Sequence, residues 1–257
     1  MAAASPTRTQ AERSDQTRTR ILEAAVTQFS EKGLDGARTE QIAEAAGVNK
    51  ALLYYYFQGK EALYTAALEY VAEGVRTASM AVLDSSVSPG ERFLKSALDH
   101  FDRIHTNWRF QSLMQQEMMR AHQGEPNALT PLVETVFRPL TQRMEQVQAE
   151  GIASGELIDV DPTQMRNAAL GANILHILSA PMMQMMTGAD PLERSALELR
   201  RRLAVEYLGQ AVFRDREHGA QVAARVLAAT PMPPESGVRP RSVPELRKNP
   251  RKEAKSL

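Results

Sequence analysis

An all-α fold follows from three features of the 257-residue sequence. Apolar residues recur at three- and four-residue spacing through most of the chain, and no alternating strand pattern of useful length appears. Ala, Leu, Met, Glu, Gln and Arg abound while aromatic residues make up only 5%, a composition that favours helix. Helix start and stop residues punctuate the periodic stretches. The expected organisation is a three-helix helix-turn-helix domain over residues 15–60 and a larger helical domain over 61–218. Residues 1–14 read as a polar, disordered arm, and 219–257 as a Pro-rich basic tail, also disordered apart from a brief helical extension at VAARVL.

Ser14 or Asp15 can cap a first helix reaching about Lys32, with Ile21, Leu22, Ala25, Val26 and Phe29 as its core stripe and Gly33 as its stop. Residues 39–60, TEQIAEAAGVNKALLYYYFQGK, then read as two short helices around a tight turn. Thr39 offers a capping hydroxyl to the first, Gly47 stands where the chain must reverse, and Asn49 caps a second helix over 50–57. Leu53 and Phe57 share the inward face of that helix, leaving Lys50, Tyr54 and Tyr55 for another surface. A cation, phenol hydroxyls and the N–H groups of a helix start suit phosphate oxygens, with the second helix laid in a major groove.

These residues carry a family resemblance. Residues 17–70, through TRTRILEAAVTQFSEKGLDGARTEQIAEAAGV, NKALLYYYF and GKEALY, resemble the DNA-binding domain of the TetR (tetracycline-repressor-like) regulators, over about a fifth of the chain. The resemblance implies DNA contacts from Thr39, Asn49, Lys50, Ala51, Leu52, Tyr54, Tyr55, Tyr56 and Lys60, with Lys60 clamping a backbone phosphate. Three positions depart from the family pattern: Ala51 replaces a glycine, Leu52 a small polar residue and Tyr56 a histidine. Operator sequence therefore does not transfer from a relative.

Gly59 closes the second helix, and a long helix to about Leu83 leads from the first domain into the second as a candidate lever. Further helices start at Ser88-Pro89, Trp108 and Thr130-Pro131, the last with Pro139 inside its pattern, where a kink is expected. Asp161-Pro162 and Asp190-Pro191 announce the final two helices, the latter reaching about Arg214. The resemblance implies that these two pair with their mates across a two-fold axis as a four-helix bundle. Ala168, Gly171, Ala172, Leu192, Leu199, Leu203 and Tyr207 are the candidate homodimer residues.

The resemblance also implies a small-molecule effector between the helices of the second domain. Candidate lining residues are Phe101, Trp108, Gln111, Met114, Glu117, Met118, Phe137, Met144, Asn173, Leu175 and His176, with Asn107 as a further polar group and Met182, Met183, Met185 and Met186 as a second cluster. Their character suits an apolar or amphipathic molecule, although the same residues serve as ordinary core.

Composition bounds the rest. Without cysteine there is no disulfide, thiolate zinc site or thiol nucleophile, and no cofactor is indicated. No apolar run approaches the ~20 residues of a membrane span, the N-terminus lacks a signal-peptide core, and a cytoplasmic location is expected. The net charge is zero, yet between Gly47 and Lys60 two lysines face no acid. That is enough for site-specific recognition. His100, His105 and His122 with Asp102 and Glu117 lack the spacing of a metal site, and no hydrolase or phosphate-loop motif occurs. The expected function is a homodimeric repressor released from a palindromic operator by its effector. The alternative is a helical ligand-binding or protein-interaction module whose helix-turn-helix no longer reads DNA.

Overall fold

The computed structural model describes residues 10–234, and its regular structure is helical apart from one isolated bridge between Leu157 and Phe213. α1 (Gln10–Gly36) begins before the expected cap, so residues 10–14 are helical and not a disordered arm; QAERS is good helix-forming sequence. Positive φ at Gly33 interrupts α1 where a stop was expected. The remainder of the expected arm, residues 1–9, lies outside the described residues, as does the expected tail over 235–257.

α2 (Thr39–Ala45) and α3 (Lys50–Tyr56) make the helix-turn-helix, and α4 (Lys60–Leu83) leaves it. Ile21, Phe29, Ile42, Leu53, Leu63 and Ala67 lose all contact with solvent in their shared core. That core continues without a break into α6 (Trp108–His122) through Phe110, Leu113 and Met114. The two domains are therefore welded along α1, α4 and α6. Ser112 and Gln116 of α6 reinforce the joint by donating to the Ser30 carbonyl of α1.

α5 (Pro89–Thr106) runs antiparallel to α4 and is capped by Ser88, as the Ser-Pro pair predicts. α7 (Leu129–Leu132) passes into a π-helical segment, Val133–Phe137, before α8 (Arg138–Ala153). Pro139 thus sits in the first turn of α8, just after the wider π turn, where the N–H it lacks costs least. Asp161 caps α9 (Pro162–Arg166), which runs through a second π segment, Asn167–Gly171, into α10 (Ala172–Thr187).

α11 (Arg194–Val212) starts later than Asp190-Pro191 predicts, because Asp190 spends its carboxylate on the N–H of Leu192 in a turn instead. The larger correction concerns the region after residue 218. α12 (Arg216–Ala229) is a full helix capped by Asp215, and Val222, Ala223 and Val226 are completely buried against α5 and α11. Gly209 and Gly219 let α11 and α12 meet backbone to backbone: a Cβ on Gly209 would come within 2.7 Å of the Gly219 carbonyl oxygen. Buried Arg201 then grips Asp102 of α5 with two hydrogen bonds, 2.7 and 2.8 Å, and also donates to the carbonyl of Thr230 just beyond α12. Among the described residues no helix is long and apolar enough to cross a membrane.

Candidate nucleic-acid interface

The turn between α2 and α3 works as its residue types require. Gly47 adopts φ +64°, and the side chain of Asn49 accepts the N–H of Leu52 at 2.7 Å. Leu53 and Phe57 are buried, so the outer face of α3 is set: Ala51, Leu52, Tyr54 and Tyr55 are exposed, with Tyr55 at 79% the most open of the large side chains there.

Several of the polar candidates are already engaged. Lys50 forms an ion pair with Glu40 and lies 5.7 Å from the Tyr54 ring centroid. The Glu40 carboxylate is held below its usual pKa by the hydrogen bond from Lys50, and the ammonium is correspondingly held above its own. Thr39 does not cap α2. Its hydroxyl lies 3.3 Å from that of Tyr54, and Arg38 occupies the cap position without a side-chain bond. The Tyr56 hydroxyl turns inward to Ser14 on α1, 3.0 Å away, so this departure from the family pattern serves the domain's own packing. Lys60 donates to the Asp35 carbonyl at 3.0 Å, beside the start of α4. The Glu40 and Ser14 partners were missed in the sequence, because contacts spanning ten and forty-two positions leave no periodic signal.

The candidate pocket residues do not converge on one cavity. Phe101, Met114 and Met144 are buried in hydrophobic core, while Met118 and Leu175 are exposed, as are Met182, Met183, Met185 and Met186. Glu117 is fully buried with both oxygens engaged: the Tyr64 hydroxyl donates to one at 2.9 Å and the Ala128 N–H to the other, with the Arg120 guanidinium 3.9 Å away. It ties α4, α6 and the approach to α7 together instead of facing a ligand. Asn173 is buried and donates to the Ala97 carbonyl at 3.3 Å. Trp108, Gln111, Phe137 and His176 are half-buried, Trp108 lying under the Arg109 guanidinium. A cleft of about 370 Å³ opens elsewhere, between α4 and the α5–α6 junction, lined by Tyr70, Val71, Gly74, Val75, Arg103, Thr106 and Asn107. Of the sequence candidates only Asn107 lies there.

Burial lowers the pKa of His100 to about 4, and desolvation with the nearby Arg200 charge lowers that of His176. Among the described residues no group of three or more His, Cys, Asp or Glu is placed to hold a metal ion.

A second exposed surface lies on the last pair of long helices. Leu199, Leu203 and Tyr207, one turn apart on α11, are open to solvent, and Leu175, Leu178, Met182 and Met186 form a stripe on α10. Ala168 is exposed, whereas Gly171, Ala172 and Leu192 are partly buried. Leu178 belongs to this stripe and was legible from its spacing to Leu175 and Met182.

A family model described as bacterial regulatory proteins, tetR family, matches residues 21–67, and one described as tetracyclin repressor-like, C-terminal domain, matches residues 89–208. The HTH-type transcriptional repressor NicS of Pseudomonas putida is 46% identical over 61 residues, 24% of this chain and 29% of that protein. The HTH-type transcriptional regulator RutR of Escherichia coli is 55% identical over 53 residues, 21% and 25% of the two chains. The chain thus spans roughly a quarter to a third of the length of these curated relatives. A transcriptional regulator from Saccharomonospora viridis, solved in complex with choline, has the same fold at a TM-score of 0.62 and 16% identity, over 78% of this chain and 100% of that one. The ketosteroid transcriptional regulator KstR2 of Mycobacterium tuberculosis gives 0.54 at 20% identity, over 77% and 95%. Two adjacent family models, the Gly47 turn and the all-helical second domain converge: the chain belongs to the TetR family of bacterial regulatory proteins.

Proposed function

We propose that the protein is a homodimeric, ligand-responsive transcriptional regulator of the cytoplasm, acting as a repressor on a roughly palindromic operator. The observation that carries this reading is the pair of exposed faces on one chain. α3 offers tyrosines and Lys50 outward, and α10 with α11 offers an apolar surface that a second copy would cover. Two recognition helices joined through that surface would enter successive major grooves about 34–36 Å apart. Lys60, at the start of α4, takes the role of phosphate clamp by exchanging the Asp35 carbonyl for a DNA oxygen.

The effector is an apolar or amphipathic small molecule. The cleft beside α4 supports a site there, because a molecule wedged between α4 and the α5–α6 junction acts directly on the helix that carries the DNA-binding domain. It must bind the DNA-incompetent arrangement more tightly, since equal affinity for both shifts nothing.

Titration against the DNA upstream of the protein's own gene, at two salt concentrations and with excess non-specific competitor, tests the reading. Retained, salt-sensitive binding is expected. Binding abolished by competitor, there and on duplexes selected from random sequence, would leave the ligand-binding or interaction module as the better account.

A further inference from the structure

Resting on the DNA-binding reading above, we propose that α3 selects its operator through thymine 5-methyl groups packed by Leu52, flanked by Ala51 and Tyr55. Hydrogen bonds from side chains to base edges play the lesser part.

Several hydrogen-bonding groups of the motif already have partners within the protein, although Lys50, Glu40 and Tyr54 stay open to solvent. The Thr39 and Tyr54 hydroxyls face each other, Lys50 is paired with Glu40, the Tyr56 hydroxyl meets Ser14, and the Asn49 carbonyl oxygen is taken by the Leu52 N–H. What α3 turns outward at its centre is hydrocarbon. Leu52 is 37% exposed although it belongs to a short helix with a well-filled core, and Ala51 beside it carries only a methyl. Tyr55, three residues on, stands on the same outer face, its ring edge-on to that of Tyr56 at 5.4 Å.

In the major groove thymine is the base that presents an apolar group, its C5 methyl; the other edges present donors and acceptors. An isobutyl side chain pressed against a cytosine amino group or a guanine oxygen strips its water and returns no hydrogen bond. Against a thymine methyl it removes apolar surface from water on both partners. Leu52 therefore favours thymine both by attraction and by the penalty it sets on the other bases. The Tyr55 ring shields one side of that contact, and its hydroxyl remains able to reach a phosphate.

The test uses the full-length protein and a duplex it selects from randomised sequence. Each thymine of the half-site is replaced in turn by deoxyuridine, which keeps every hydrogen-bonding group and removes only the methyl. At the contacted thymine the wild-type protein should bind about fourfold more weakly per half-site, the value of one methyl-sized apolar contact. Leu52→Ala should bind the thymine and uracil duplexes alike, with an unchanged circular dichroism spectrum and melting temperature. A protein that discriminates its selected duplex from competitor yet ignores every uracil substitution overturns the methyl readout while leaving DNA recognition intact. A Leu52→Ala variant that retains full uracil sensitivity overturns the assignment to Leu52. Failure to select any sequence overturns the DNA-binding reading, and the methyl readout with it.

Discussion

The outer face of α3 and the joint face of α10 and α11 both expose large apolar side chains, but they are built on different support. Beneath α3 lies a core in which Leu53 and Ile42 are wholly buried, and around its outer face stand phenolic and charged groups, Tyr54, Lys50 and Glu40. The α10–α11 face has a wide row of leucine, methionine and tyrosine, among them Met186 at 71% and Tyr207 at 67% exposure. A polar ring around a small apolar centre fits a polyanion with a few methyl groups. A broad apolar stripe fits another protein surface of the same kind. Exposure alone does not name the partner; the surrounding polar groups do.

The largest effect should come from placing charge in the broad stripe. Leu203→Glu is expected to give a monomer by sedimentation at micromolar concentration and to weaken operator binding by at least ~100-fold, since burying an unpaired carboxylate costs several kcal/mol. A persisting dimer would remove this face as the interface.

Acidification should separate the two faces. The folded-state pKa of His100 is about 4 against an ordinary 6.5, so the unfolded chain binds the proton more readily. No penalty exists above pH 6.5; stability should fall as pH drops from there towards 4, by up to roughly 3 kcal/mol at 1.36 kcal/mol per pKa unit. His100 packs beside Asn173 of α10, so support for the α10–α11 face should weaken while α3 is untouched. Urea midpoints between pH 7 and 4, compared with those of His100→Gln, check this; an identical slope in the variant would exclude His100 as the source.

A Cβ at Gly219 would collide with the Gly209 carbonyl and crowd Phe213, so Gly219→Ala should lose roughly 2 kcal/mol from overpacking. Chemical denaturation measures it, and an unchanged midpoint would show that α11 and α12 separate freely. The smallest effect belongs to α3. Tyr55→Ala should reduce operator affinity about tenfold with dimer and melting temperature little changed, because the side chain is 79% exposed and its one ring contact is with the edge of Tyr56. A shift in oligomeric state would show that the two faces are not independent.

The helix-turn-helix was legible because local rules decide it: a glycine at positive φ, an asparagine cap and a four-residue apolar spacing each leave a mark within one turn. The helices now seen as α10 and α11 were visible through their apolar stripes, and Leu199, Leu203 and Tyr207 of α11 are exposed. The engagements of the site were not visible. Tyr56 finding Ser14, or Glu117 closing on Tyr64 and Ala128, depends on tertiary approach, and a buried carboxylate reads in sequence like any polar candidate for a ligand. α12 was read as no more than a brief extension at VAARVL because its apolar residues, Val222, Ala223 and Val226 among them, are small and few. Its docking relies on paired glycines, whose lack of side chain reads as a break instead of a contact.

That contact between Gly209 and Gly219 has a mechanical consequence. Main chain resting on main chain has no rotamers to absorb a displacement, so α12 acts as a splint along the C-terminal half of α11. In the proposed dimer the splinted helix cannot bend to accommodate its mate. The separation of the two DNA-binding heads is then referred to a stiff central frame, and adjustment falls to α4, the long helix outside that splint.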